Sequence, residues 1–428
     1  DDYMAKGEWV NSLRRDFHIP VDMALALHTD AGSVLKDSII GTLAIYKEES
    51  EGKVEYSDGR PRILARELSD IVQTSIVDDI RAFYREDWTR RALWDRSYME
   101  ARVPDVPTVL IELLSHQNFP DMKCALDPKF KFIVSRAIYK GILKYLSYTS
   151  GKPYTVQPLP VKSLSAVLQN TKESSAEVFL EWSPTADPSE PSATPESYIV
   201  YRRMTDPSDT SGNLSGFDNG TIVDRPRFSE RIEAGLLYSY KIVAVNAGGR
   251  SFPSEIMSVG YNGGREILVV NGFTDVTAPA TQPVCDSVTA GFDFKAGYGI
   301  PYVSDCSYIG EQYEYRRQKD WIHDDRPGFG ASYMDYSQGT VAGNTFDYPR
   351  IHGLALMRSG YSFSSASLEA VLDNKVRLGE YPAADFIFGK EADGFLSDSL
   401  YRILSSYCGN GGALLISGAN IGKCTEYE

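Results

Sequence analysis

The chain has 428 residues, of which 42% are hydrophobic and 24% are charged, values that are typical of globular rather than disordered proteins. This length predicts two or three domains. The formal net charge of −14 argues against nucleic-acid binding, because phosphate recognition needs a basic surface. No apolar run reaches the roughly 18–20 residues that a membrane-spanning helix needs.

The five cysteines are scattered and form no CxxC motif, so they predict no thiolate zinc site. Cys285 and Cys306 are the one pair that we consider as a candidate disulfide. The chain begins without a signal-peptide pattern, and it ends soon after an apparent strand, Ala413–Ser417. We therefore expect this sequence to be a processed or truncated piece at both ends.

Residues 1–150 alternate predicted strands with predicted helices. Val21–Leu27 and Val106–Leu114 are apolar and have the length of strands, whereas Arg62–Tyr84 carries apolar residues at helical spacing. Asp127–Pro128 predicts the start of a further helix, with the aspartate as N-cap and the proline at the first helical position. Helices between buried strands predict an α/β domain with a parallel sheet covered on both faces.

Residues 158–262 predict an all-β domain, in which short alternating runs are separated by loops rich in Pro, Ser, Asp and Gly. The run from Tyr238 to Ser254 resembles the end of a fibronectin type III domain. This resemblance implies that Trp182 is the core tryptophan of an early strand and that Tyr238 is the tyrosine-corner residue.

Residues 264–428 predict a second α/β domain with an open sheet, which loosely resembles the glutamine-amidotransferase-like fold and is expected to be truncated at its end. The stretch Phe292–Tyr348 fits neither period and predicts long loops. The predicted strands are Glu266–Val270, Ile351–Met357, Ala384–Phe388 and Ala413–Ser417, and the predicted helices are Ala366–Leu372, capped by Ser364 or Ser365, and Ser397–Tyr407.

The first candidate site residue is His28, which directly follows the apolar strand Val21–Leu27, with Asp30 two residues further on. Open α/β sheets bind ligands at the carboxyl ends of their strands. An imidazole at this point can bind a metal or act as a base, and it can equally cap the strand without further function.

The second candidate is Glu112, a carboxylate inside an otherwise apolar strand. A buried, unpaired carboxylate is costly, which predicts a cation, a proton or a metal-bound partner for it. A raised pKa would suit Glu112 for general acid/base catalysis. The alternatives are a structural salt bridge or a carboxylate that faces solvent at the sheet end. His116 and Asn118 follow Glu112 in the sequence. His116 either lines the cleft next to Glu112 or packs inside the protein.

This order of elements resembles the C-terminal half of the zinc-dependent N-acetylmuramoyl-L-alanine amidases (amidase type 3). The resemblance rests on four elements in order: a strand ending at His28, a helix, a strand with Glu112 and then Asn118, and a closing helix Pro128–Tyr145. It implies that His28 is a zinc ligand, that Glu112 is the catalytic acid/base, and that Asn118 is the family's matching asparagine. The implied reaction is hydrolysis, by zinc-activated water, of the amide between N-acetylmuramic acid and L-alanine in peptidoglycan.

Two features depart from the family pattern. The other two metal ligands, a histidine and a glutamate, lie upstream in the family, and Asp1–Phe17 holds no matching turn, so we expect this stretch of chain to be inactive by itself. Asp30 replaces the usual asparagine and could orient His28 or bind a different ion. His18 is either a substitute ligand or a surface residue.

Trp88, Arg90, Arg91 and Trp94 form a basic and aromatic patch that either contacts glycan or peptide, or packs its tryptophans on the sheet. The predicted substrate-binding residues are Asp30, Arg91, His116 and Asn118.

We predict a periplasmic, cell-surface or secreted peptidoglycan hydrolase whose chemistry lies in residues 1–150. Its partner is peptidoglycan or another glycan. One alternative is a non-catalytic cell-wall or polysaccharide-binding scaffold. Another is a polysaccharide-active enzyme with its site around Asp320–Asp335. A large distance between His28 and Glu112, with side chains on opposite sheet faces, would contradict the first hypothesis.

Overall fold

A computed structural model describes two compact units, formed mainly by residues 2–154 and by residues 155–273 with 347–421. The candidate disulfide Cys285–Cys306 and most of the stretch Asp320–Asp335 lie outside the described residues. The residues described are 2–32, 34, 38–211, 214–273, 280–282, 289–293, 311–312, 315–316, 334–335, 347–389, 391 and 396–421.

The described helices, in chain order, are α1 (Asp2–Arg15), α2 (Leu64–Phe83), α3 (Met99–Arg102), α4 (Phe119–Ala125), α5 (Pro128–Ser150), α6 (Tyr348–Arg358), α7 (Leu368–Leu372) and α8 (Asp398–Gly409). No helix in the described part of the chain is long and apolar enough to cross a membrane.

The strands of the first unit and of the following β-rich stretch are β1 (Ala24–Asp30), β2 (Thr42–Tyr46), β3 (Arg90–Asp95), β4 (Thr108–Ser115), β5 (Lys162–Lys172), β6 (Ser175–Ser183), β7 (Ser197–Thr205), β8 (Thr221–Val223), β9 (Arg227–Glu233), β10 (Leu237–Asn246), β11 (Gly249–Arg250) and β12 (Met257–Gly260). The later strands are β13 (Glu266–Asn271), β14 (Ala280–Gln282), β15 (Thr289–Asp293), β16 (Glu311–Gln312), β17 (Tyr315–Arg316), β18 (Met334–Asp335), β19 (Ser362–Ser367), β20 (Ala383–Gly389) and β21 (Ala413–Gly418).

The first unit is built on a four-stranded sheet in the order β1-β4-β2-β3. The pairs β1–β4 and β2–β3 are parallel, but β2 runs antiparallel to β4. The prediction of an all-parallel sheet is therefore wrong. The sequence pattern missed β2 and β3, and β2 is the strand that reverses direction.

The two faces of this sheet are covered differently. Helices α2 and α5 pack on one face and form the main core with the inward side chains of β2 and β4. On the other face, a smaller apolar cluster joins α3 to the sheet through Ala101, Leu43, Ile45 and Leu110. Past this cluster, towards the carboxyl ends of β1 and β4, the side chains of the second face become polar.

Strands β5 to β12 form the fibronectin-like part of the second unit. Trp182 is almost fully buried and meets the ring of Tyr198 edge-on, with centroids 5.3 Å apart. The hydroxyl of Tyr238 accepts a hydrogen bond from the backbone N–H of Glu233, five residues upstream, at 3.2 Å. This is the geometry of a tyrosine corner, as the sequence resemblance implies.

The rest of the second unit is a parallel sheet in the order β21-β20-β13-β19, with α7 and α8 packed against it. Strand β19 also pairs antiparallel with β5 and β12, so this sheet continues into the fibronectin-like strands. Two sequence predictions are wrong here. Ile351–Met357 belongs to helix α6, and Ser364 and Ser365 lie within β19, so that the N-cap of α7 is Ser367.

Candidate functional site

His28 and Glu112 are neighbours across the parallel pair β1–β4, because they are register partners in the ladder. Register partners on adjacent parallel strands point their side chains to the same side of the sheet. Both side chains therefore lie on the face that carries α3, near the carboxyl ends of the two strands. The two side chains are thus not on opposite faces of the sheet, the arrangement that would have contradicted the sequence hypothesis.

The carboxyl group of Glu112 lies in an environment that resists ionisation. Its Oε2 atom is buried and has no hydrogen-bond partner among the described residues. Burial raises the pKa of Glu112, and the nearby Asp30 carboxylate raises it further, while His28 and Arg91 act in the opposite direction. A carboxyl group with a raised pKa is suited to hold and return a proton near neutral pH.

Arg91 and Asp30 form an ion pair on the same part of the sheet. Nη1 of Arg91 donates a hydrogen bond to Oδ2 of Asp30 at 2.8 Å, and both side chains remain partly exposed. Arg91 lies on strand β3, at the opposite edge of the sheet from β1. Its guanidinium nevertheless reaches the carboxylate of Asp30 at the end of β1. These two predicted residues are thus brought into the electrostatic environment of Glu112.

Glu100 is a member of this cluster that sequence reasoning missed. It lies on the short helix α3, and its Oε2 is hydrogen-bonded to Nε2 of His28, while its Oε1 is 2.6 Å from Nζ of Lys6. Burial would raise the pKa of Glu100, but its hydrogen bonds with Lys6 and His28 outweigh burial and lower that pKa. In the sequence, nothing separates Glu100 from other glutamates in connecting segments.

Of the other two predicted substrate-binding residues, His116 adjoins this cluster, since its backbone N–H donates to the carbonyl of Asp30 at 3.1 Å, whereas Asn118 bonds to other groups. The exposed His116 follows β4, and its Nδ1 is 3.1 Å from the hydroxyl of Thr29. Asn118 is buried, and its amide nitrogen donates to the Ser38 carbonyl at 2.9 Å and to the Asp121 carboxylate at 3.1 Å. The Asn118 amide thus ties the segment before β2 to the segment after β4.

The remaining candidates divide between the surface and the core. His18 is exposed in the segment after α1. Trp88 is fully buried and donates to the hydroxyl of Thr42 at 3.0 Å, and Arg90 pairs with Asp70 at 2.6 Å. Of the two alternatives for this patch, Trp88 therefore packs in the core and does not contact a ligand.

The residues brought together do not by themselves fit a catalytic zinc site, which uses three protein ligands. The donors have suitable chemistry, since imidazole and carboxylate both bind zinc. In the described part of the chain, however, no group of three or more His, Cys, Asp or Glu side chains is arranged to hold a metal ion. His28 is bound to Glu100 through Nε2, and Asp30 is bound to Arg91.

No family model matches this chain, and no curated protein matches it either. Similar solved structures include an N-acetylmuramoyl-L-alanine amidase from Clostridium difficile 630, at 19% identity over 33% of this chain and 64% of that one, with a TM-score of 0.26. The corresponding amidase Ami1 from Mycobacterium smegmatis is 17% identical over 34% of this chain and 61% of that one, with a TM-score of 0.26.

A second group of similar structures consists of fibronectin type III domains. The FN5 domain of Drosophila Lar is 18% identical over 25% of this chain and 99% of that one, with a TM-score of 0.19. The chain spans less than two thirds of the length of the two amidase structures. With TM-scores this low, these structural similarities carry no argument about function.

Proposed function

We propose that residues 1–150 carry the acid/base group of a peptidoglycan hydrolase that cleaves the amide between N-acetylmuramic acid and L-alanine. The observation that carries this proposal is the position of Glu112 directly beside His28 on the β1–β4 pair, with one carboxyl oxygen buried and without a hydrogen-bond partner among the described residues. The family resemblance of the same two residues in the sequence gives the substrate class. The expected location is the periplasm, the cell surface or the medium.

The chemistry proposed for the chain's own residues is proton transfer. Since burial raises the pKa of Glu112, its carboxyl group can take a proton from an attacking water and return it to the leaving amine. Arg91 supplies a positive charge close to this carboxyl and keeps Asp30 paired. Zinc binding at His28 is part of the proposal, and it needs ligands beyond those that the described residues bring together.

The test compares the protein at its full natural length with its Glu112→Gln variant. Release of stem peptides from purified peptidoglycan, followed by mass spectrometry, is expected to fall by about 10²–10⁴-fold in the variant, because the acid/base group is lost. Glu86→Gln, at an exposed position after α2, is the matched control and is expected to keep full activity. Undiminished peptide release by a folded Glu112→Gln protein would refute the acid/base role.

A second candidate function is non-catalytic binding to the cell wall, and the lack of a three-ligand group among the described residues favours it. Co-sedimentation with purified peptidoglycan separates the two functions. Sedimentation of the natural protein without release of any peptide would support the binding function. New reducing ends without free peptides would instead indicate a polysaccharide-active enzyme.

A further inference from the structure

The ring of His28 is held by Glu100, which is in turn paired with Lys6 on α1. Nε2 of His28 contacts one oxygen of Glu100, and the other oxygen of Glu100 is 2.6 Å from the ammonium of Lys6. A carboxylate can only accept hydrogen bonds, so the proton of this contact belongs to Nε2 of the imidazole. The Lys6 ammonium favours the ionised form of Glu100.

The packing of helix α3 on the sheet places Glu100 next to His28. Its helical neighbour Ala101 is buried against Leu43, Ile45 and Leu110, which fixes α3 on the sheet. The side chain of Glu100 is only 15% exposed, whereas that of Lys6 is 70% exposed. The contact between Glu100 and His28 is therefore the shielded one, and the outer ion pair contributes little because water screens it.

We propose that Glu100 is a positioning residue that keeps neutral His28 in the form protonated on Nε2, so that Nδ1 is the ring nitrogen left to act at the site. A ring nitrogen that donates to a carboxylate fixes both the tautomer and the orientation of the imidazole. This inference rests on the proposed function only in giving His28 a role in the reaction. The tautomer of His28 can be measured by NMR without an activity assay.

The experiment is long-range ¹H–¹⁵N NMR of the histidine rings at about pH 8, where an ordinary imidazole is neutral, in the presence of a chelator. The chain has five histidines, and His28→Gln assigns the signal of interest by its loss. We expect the Nε2-protonated pattern for His28, together with a visible Nε2 proton that is protected from exchange by the carboxylate.

Three variants test which group causes this pattern. Glu100→Leu removes the acceptor, so the Nε2 proton signal is expected to vanish. Glu100→Gln keeps an acceptor oxygen, so the signal is expected to persist at a shifted position. Lys6→Met removes only the outer ion pair and is expected to leave the signal in place. Peptide release by Glu100→Leu is expected to fall about 10–100-fold, with partial rescue in Glu100→Gln.

The proposal is overturned if His28 is protonated on Nδ1, or if Glu100→Leu leaves the Nε2 proton visible. Unchanged signals from the other histidines establish that Glu100→Leu is folded. If that variant does not fold, the tautomer of the unmodified protein and the shift in Glu100→Gln decide the question. A protein that shows the expected tautomer but releases no peptide contradicts the proposed function and leaves the role of Glu100 intact.

Discussion

At the scale of single residues, a buried ion pair between α2 and α5 has a large expected effect on stability. Nζ of Lys140 is 2.6 Å from Oδ2 of Asp79, and the two side chains are 1% and 8% exposed. Lys140→Met leaves the Asp79 carboxylate buried without this cation, so we expect a loss of about 3–5 kcal/mol in the free energy of unfolding. Urea unfolding measures this loss.

The control for this prediction is the double variant Lys140→Met with Asp79→Leu, which removes both charges. Replacing a buried pair by apolar groups of similar volume is often close to neutral, so the double variant is expected to recover most of the lost stability. If the double variant were as unstable as Lys140→Met, the loss would come from packing rather than from the uncompensated charge.

The sequence could not predict the partners of single polar residues. Helical spacing shows which apolar residues of α5 face the core, but it gives a lysine such as Lys140 no reason to be buried, since its partner lies on another helix. The same limit applies to the site. The strand with Glu112 and the strand next to His28 could be predicted from local pattern, although β1 extends past His28 to Asp30, whereas the contact of Glu100 with His28 joins residues 72 positions apart.

At the scale of secondary-structure elements, the start of α5 shows what local sequence can predict. Asp127 is the N-cap, and its side chain accepts from the backbone N–H of Lys129 at 2.8 Å, as the sequence predicts. Its other oxygen accepts from the hydroxyl of Tyr84 at 2.8 Å. Because Asp127→Ala removes both acceptors, we expect it to cost about 1–2 kcal/mol, measured by thermal or urea unfolding.

Asp127→Asn serves as the matched variant, since asparagine is an equally good N-cap. It is expected to retain most of the stability that the alanine variant loses. Equal losses in the two variants would mean that the charge of Asp127 or its second acceptor oxygen, which binds the hydroxyl of Tyr84, and not the capping hydrogen bond, stabilises the start of the helix.

Other elements could not be predicted because long-range pairing decides them. Strand β19 is rich in serine, a composition that favours turns and helix caps, and the sequence prediction placed a cap at Ser364 or Ser365. In the structure, the backbone N–H of Leu168 donates to the hydroxyl of Ser364, and the hydroxyl of Ser365 donates to the carbonyl of Ser258. Partners roughly 100 to 200 residues away satisfy these hydroxyls, so no local pattern reveals a strand there.

At the scale of the whole molecule, the second unit joins a fibronectin-like set of strands to a parallel sheet through β19. The junction contains Glu255, which lies in the segment before β12 and accepts a hydrogen bond from the Asn271 side chain at the end of β13. Burial, with a smaller contribution from the Glu369 carboxylate, raises the pKa of Glu255 to about 8, although the Asn271 hydrogen bond acts in the opposite direction. The junction thus holds a carboxyl group whose neutral form is favoured by burial.

This raised pKa predicts a stability that falls as the pH rises from about 4.5 towards about 8. The folded protein binds the proton of Glu255 more tightly than the unfolded chain, where the pKa is near 4.5, so the stabilising contribution is complete below about pH 4.5 and is lost as the pH rises through about 8. Each pKa unit corresponds to ~1.4 kcal/mol. We expect a loss on the order of 2–4 kcal/mol between pH 5 and pH 9, measured by urea unfolding.

Glu255→Gln separates this contribution from every other titrating group, because the amide keeps the shape and the acceptor oxygen but cannot ionise. The variant is expected to be less stable or equal at pH 5 and clearly more stable than the natural protein at pH 9. Glu173→Gln, at an exposed turn between β5 and β6, is the control and should follow the natural protein at both values. If the curves of the natural protein and Glu255→Gln stay parallel from pH 5 to pH 9, Glu255 does not titrate in the junction, and its carboxylate must be ionised and stabilised there throughout.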